Sequence, residues 1–173
     1  MDNLKYPIGK FEFGNTYTSA DNSKHISEIE LFPKQLREIS LRLSAEQLEK
    51  SYRPGGWTAR QIIHHLADSH MNAYIRVKLT LTEELPTIKP YNQDTWADLA
   101  DGKNAPIESS VNMIENIHFR WVYLLKTLSE NDLKKKYFHP EYKKEFQLDE
   151  FLALYAWHGK QHYAHLMIIL NLI

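Results

Sequence analysis

Apolar residues recur at three-and-four spacing along four long stretches of the chain, a pattern that predicts helices rather than strands. The first helix is expected to follow Asp21 or Ser23 and to carry Ile26, Ile29, Phe32, Leu36, Ile39 and Leu43, with Pro33 kinking it. The second opens at a capping box, Thr58-Ala59-Arg60-Gln61, and runs from Ala59 to about Glu83. Its stripe is Ile62, Leu66, Ala73 and Val77, widened by Ile63 and Tyr74. The third spans Ile107 to Leu128 through Val111, Ile114, Ile117, Trp121, Leu124 and Leu125. The last starts at Leu148 or Asp149, ends near Asn171 and buries Phe151, Leu152, Tyr155, Leu166 and Ile169.

The stretches between these helices read differently. From Tyr6 to Ala20 there is no helical period, only Pro7, two glycines and aromatics, which predicts an extended arm laid over the body by Phe11, Phe13 and Tyr17. Ser44-Ala45-Glu46-Gln47 is another capping box and predicts a short helix closed before Arg53-Pro54-Gly55-Gly56. Leu85 to Pro106 is too long for a link between neighbouring antiparallel helices, so it reads as a crossover along a bundle or a lid. Gln93 to Leu99 should form a single turn within it, and Trp96 either pins the link or shields a pocket. Ser129 begins a further short turn, and the weak alternation from Tyr137 to Phe146 around Pro140 favours a plain loop over a small hairpin. Four amphipathic segments with almost no strand signal give an all-α, four-helix bundle, one domain over residues 1–173.

Polar residues interrupt two of the stripes. His158 and His162 project about 40° apart, one turn above the other, on the apolar side of the last helix. A lone inward histidine is most often a hydrogen-bonded core residue, whereas a pair at this spacing is a known two-ligand geometry. A third ligand must come from elsewhere, from among His64, His65, His70, His118 and His165. His64 points toward the polar back of its helix, His70 is suited to packing, His165 shares the flank of His158, and geometry prefers His65. On the second helix a polar row, His65, Ser69, Asn72 and Arg76, borders the stripe, as in a helix that lines a wet pocket or one that meets solvent.

Composition narrows the chemistry. The 173 residues are 43% hydrophobic and 25% charged, ordinary for a soluble domain. A net charge of −1 leaves no electrostatic footprint for nucleic acid or an anionic membrane. There is no cysteine, which removes disulfides, a thiol nucleophile and thiolate ligands, so any metal is held by imidazole, carboxylate or water. No apolar run approaches the roughly 18 residues of a membrane span, and the first residues lack a signal-peptide core, so the cytoplasm is the expected compartment.

Pro54-Gly55-Gly56-Trp57-Thr58-Ala59-Arg60-Gln61-Ile62-Ile63-His64-His65-Leu66-Ala67-Asp68-Ser69-His70-Met71-Asn72 resembles the second-helix signature of the DinB-like superfamily, in which a tryptophan begins a helix and a histidine eight residues later binds metal. His158-Gly159-Lys160-Gln161-His162 is similar to the paired histidines of its last helix. With Tyr6 to Phe11, Pro90 to Leu99 and His118-Phe119-Arg120-Trp121, these segments resemble the YfiT branch across essentially the whole chain. The resemblance implies an up-down-down-up four-helix bundle, a homodimer, and one divalent ion per chain, zinc or nickel, on His65, His158 and His162.

Three imidazoles leave a zinc-like ion one position open, as catalytic sites do. Water there would have its pKa lowered to about 7, the route of a metal-dependent hydrolase. A small thiol could instead be held as thiolate for attack on an electrophile. Members of the superfamily include bacillithiol transferases, so a small-thiol S-transferase is the leading expectation, hydrolysis the alternative, and a non-catalytic, metal-stabilised stress-response module the third. The partner is in every case a small molecule rather than nucleic acid or membrane. Asn72, Arg76, Arg120 and Trp96 are the candidate pocket residues; no residue is identified as general acid or base.

Overall fold

Four segments begin in the same way. Thr18, Ser44, Thr58 and Ser129 each accept the backbone N–H of the residue three positions on, whose side chain (Asp21, Gln47, Gln61 or Asp132) returns to the cap's own N–H. Each such reciprocal pair satisfies two orphan donors and so fixes where its helix begins. The computed structural model describes residues 2–173. In order, the elements are α1 (Asp2–Lys5), α2 (Ser19–Ser40), α3 (Ala45–Leu48), α4 (Ala59–Thr82), α5 (Gln93–Ala97), α6 (Ala100–Asn104), α7 (Ile107–Leu125), α8 (Glu130–Leu133), β1 (Lys136–His139), β2 (Lys144–Gln147) and α9 (Leu148–Ile169).

The long helices α2, α4, α7 and α9 form a four-helix bundle. Both α2 and α4 pack on α7 and α9, so α2 and α4 face each other across a diagonal. Two apolar clusters show the directions. One end of the bundle joins Ile29 of α2 and Phe151, Leu152 and Tyr155 of α9 with Ala73, Val77, Trp121 and Leu125 from the later turns of α4 and α7. The other joins the later turns of α2 and α9, Leu36, Ile39, Leu166 and Ile169, with Ile62, Ile63, Ile107 and Val111 from the first turns of α4 and α7. Helices α2 and α9 are therefore parallel, as are α4 and α7, and the order is up-down-down-up. A parallel α4–α7 pair needs a connection that returns the chain along the bundle, which is why residues 83–106 are so long.

Several boundaries differ from the sequence expectation. Helix α2 starts at Ser19, because Thr18 and Asp21 make the cap, and it continues through Pro33, which is buried. The turn α1 and the second short helix in the crossover, α6, have no counterpart in the periodicity. Where a loop was favoured, β1 and β2 form an antiparallel hairpin with Tyr137 opposite Phe146. Those two rings are buried and stacked with centroids 5.7 Å apart. The crossover joins this hairpin: Phe138 N–H donates to Pro86 O at 2.9 Å, and Ile88 N–H to Phe138 O at 3.1 Å. The arm lies on α9 and the hairpin as expected, with Trp157 Nε1 donating to Gly9 O at 3.1 Å and Phe13 packing on Phe146 at 5.5 Å.

Candidate metal centre

His158 and His162 stand one turn apart on α9 and meet His65 from α4, the antiparallel neighbour. One ring nitrogen from each lies within 4.8 Å of the others. Nε2 of His65 and Nε2 of His158 are 3.2 Å apart. Two imidazoles on a tetrahedral ion with bonds of about 2.0–2.1 Å have nitrogens about 3.3 Å apart, so the donor set and its spacing fit a divalent ion. Trp57, held just before the Thr58 cap, packs against the cluster: its ring lies 4.5 Å from that of His65 and stacks on His162 at 6.0 Å.

The outward nitrogens of the α9 pair are held by further histidines, and each chain of rings ends on a backbone carbonyl. His118 Nδ1 is 2.8 Å from Ile29 O, which only accepts, so the proton is on Nδ1 and Nε2 carries the lone pair. That lone pair accepts from His70 Nδ1 at 2.7 Å, and His70 Nε2 then accepts from His158 Nδ1 at 3.2 Å. His158 is thereby left with its Nε2 lone pair directed at His65. On the other side His165 Nε2 lies 3.2 Å from both Lys5 O and the Gln161 amide nitrogen; because the carbonyl only accepts, the ring donates to it, beside the amide, which donates to the same oxygen at 2.7 Å. His165 Nδ1 accepts from His162 Nδ1 at 3.3 Å, which frees Nε2 of His162 as well. These contacts fix both tautomers and both ring planes, as the outer partners of metal-binding histidines do.

Electrostatics agree with this arrangement. Burial, and then the neighbouring rings, holds His65, His70 and His162 well below the usual imidazole range. Burial likewise brings His118, His158 and His165 down to about 4. The rings are neutral near pH 7, the form that ligates a metal. Among the described residues no carboxylate hydrogen-bonds to His65, His158 or His162; their ring-nitrogen partners are other imidazoles.

Residues 28–166 match the family model described as the DinB superfamily. The chain belongs to that superfamily. Relatives from Oceanobacillus iheyensis and Bacillus mycoides, each carrying the name "putative metal-dependent hydrolase", are 51% and 48% identical. The alignments cover 95% and 96% of this chain and 94% and 95% of theirs. The solved structure of YfiT from Bacillus subtilis superposes with a TM-score of 0.95 at 41% identity, covering 98% of this chain and 97% of that one. It is described as "a probable metal-dependent hydrolase with an unusual four-helix bundle topology".

In this member of the DinB superfamily the cluster opens on two cavities that meet at His158. One, of about 540 Å³, runs past His162, His165 and Trp57 to the N-terminal arm. The other, of about 410 Å³, is lined by Ser69, Arg76, Tyr91 and Tyr155. Of the candidate pocket residues only Arg76 lines them. Asn72 turns its amide back to Asp68 O at 2.9 Å, and Arg120 lies over the Tyr74 ring at 5.7 Å, each the packing of an ordinary helix flank. Trp96 backs Tyr91 at 4.3 Å without reaching either cavity. His64 does not face a polar back: the crossover covers it, and it contacts Ser110 Oγ at 2.7 Å and Ala105 O at 3.1 Å. Sequence reasoning weighed His70, His118 and His165 only as ligands or packing and missed their place behind His158 and His162, for which periodicity within one helix carries no signal.

Proposed function

We propose that the chain is a divalent-metal-dependent enzyme acting on a small molecule, that His65, His158 and His162 hold one zinc or nickel ion, and that the reaction is hydrolysis. The observation that carries this reading is the convergence of three neutral imidazoles, two of them with Nε2 freed by their outer partners, at the meeting point of two open cavities. A bound ion would supply Lewis acidity and activate a nucleophile at its open position. The chain's own part is to hold three lone pairs on one point, to keep the rings unprotonated by burial, and to shape the approach with Trp57 and Tyr155. The names of the relatives support hydrolysis over other reactions of such a site.

A second reading, transfer of a small thiol such as a bacillithiol-like carrier to an electrophile, is favoured by one feature. Among the described residues no carboxylate is hydrogen-bonded to the cluster to take a proton from water, whereas a thiol gives up its proton far more readily. The deciding experiment loads metal-stripped protein with one equivalent of zinc or nickel and presents activated esters and amides without thiol, then an epoxide or alkyl halide with and without thiol. Thiol-independent turnover that vanishes in His158→Ala supports hydrolysis. Turnover only with thiol replaces hydrolysis with transfer, and metal binding with neither activity leaves the non-catalytic module.

A further inference from the structure

Among the described residues Arg76 is paired with no carboxylate. One of its terminal nitrogens donates to Lys89 O at 3.2 Å, while Nε is buried with no hydrogen-bond partner. None of the ion pairs among the described residues includes it. A guanidinium half withdrawn from water is normally paired, and a buried donor left unmet is costly. The same cavity is lined by Tyr91, Tyr137 and Tyr155 and by His139, whose Nδ1 is also buried without a partner. Burial raises all three tyrosines above the usual phenol range, so each keeps its proton; that of Tyr155 goes to Ser69 O at 3.3 Å, which leaves Tyr91 and Tyr137 to donate. Among the described residues the one carboxylate on the cavity wall, Glu141, is exposed.

A pocket of convergent donors around an uncompensated guanidinium is complementary to a planar or tetrahedral anion. Position sets what else the ligand must have. Arg76 lies eleven residues beyond His65 on α4, about 16 Å along the helix axis, and helical side chains lean back toward the N-terminus, here toward His65. His158 lines the other end of the same cavity.

We propose that Arg76, with Tyr91, Tyr137 and His139, forms a subsite for an anionic group, a carboxylate or a phosphate, carried by the substrate at the end remote from its reacting bond. This rests on the metal-dependent reading for the reacting end only. The substrate is then an elongated small molecule, on the order of 10 Å long, charged at one end. An acetate-sized ester spans only the metal end and gains nothing from Arg76.

The test needs no metal. Titration calorimetry on the metal-free protein compares hexanoate and hexyl phosphate with hexanol. At least one anion should bind about tenfold or more tightly than the alcohol, and which of the two does so identifies the headgroup. Arg76→Met should abolish the preference and Arg76→Lys retain part of it, with helical circular dichroism unchanged in both. Equal binding of alcohol and anions, or a preference that survives in Arg76→Met, overturns the subsite. Failure of the metal-dependent reading registers separately, as absence of bound zinc or nickel in the unaltered chain.

Discussion

At the scale of single residues, the ring chains behind His158 and His162 make predictions that the ligands alone do not. His65→Ala, His158→Ala and His162→Ala should each strip most of the metal, and His64→Ala should leave it, because His64 is spent on Ser110 and Ala105. Elemental analysis after dialysis reads both outcomes. His118 touches neither His65 nor the α9 pair, yet its lone pair decides which way His70 and then His158 are protonated. His118→Leu should therefore weaken zinc binding about 10- to 100-fold in a competition with a chromogenic chelator. His118→Gln, which can keep an acceptor toward His70, should recover most of that loss. Equal affinities in the leucine and glutamine variants would assign His118 to packing alone. Nitrogen NMR offers a direct readout, since His158 Nε2 should lose its lone-pair signature in the leucine variant before any metal is added.

At the scale of elements, α9 comes close to α2 through Gly159. A methyl group there would stand 2.9 Å from Cδ2 of Phe32, whose ring stacks on His70 at 5.4 Å. Gly159→Ala should thus cost about 1–3 kcal/mol in urea denaturation of the chelated protein, and it should also loosen the metal by pushing Phe32 onto the ring chain. Stability unchanged from the parent would mean that α2 gives way freely. The end of α1 has a comparable part, for the carbonyl that orients His165 and Gln161 belongs to Lys5. Removing residues 1–14 should leave the bundle helical while lowering metal affinity.

What could be read beforehand follows the same division. The four long helices and the α9 pair were legible because each depends on spacing within one segment, and Thr58 with Gln61 marks its helix start locally. His65 was separable from His64 by about 100° of helical phase. The hairpin was not, because Pro140 and the lysines at 143 and 144 mask the alternation, and its stability comes from Tyr137 against Phe146 and from the backbone bonds of Phe138 with Pro86 and Ile88 of the crossover. The uses of His70, His118 and Lys5 were not legible either. Each is defined by a partner on another element, between 48 and 160 positions away.

At the scale of the whole molecule, burying so many neutral imidazoles ties stability to pH. In the unfolded chain a histidine titrates near about 6.5. Folded, His118, His158 and His165 wait until about 4, and His65, His70 and His162 are also held far down. Between those values the unfolded chain binds protons that the native chain refuses, so stability is present above about pH 6.5 and lost as pH falls toward 4. Asp68, raised to about 6 by burial and then by Asp101, acts in the opposite sense, one group against nine histidines, since burial lowers His25, His64 and His139 as well. The melting temperature of the metal-free protein should accordingly drop steadily from pH 7 to pH 5; a flat profile would contradict neutral burial. We also propose a homodimer. Phe119 and Tyr123, 78% and 74% exposed, border a groove with Pro33 and Leu41. Sedimentation should return twice the chain mass, and Phe119→Glu should return one.

The parallel pairing of α2 with α9 has a consequence for how the protein is made. The earliest long helix completes its packing only against the last, and His65 waits 93 positions for His158. On the ribosome the chain emerges with three helices that lack their fourth wall, and with one of the three proposed ligands. A free ion has nothing there to grip until α9 clears the exit tunnel, so the metal cannot guide the early collapse, and non-local closure of this kind is the slow step in folding. Loading is then a late event, performed on a bundle already built, and a nascent chain arrested before residue 158 should be as open to protease with zinc as without it.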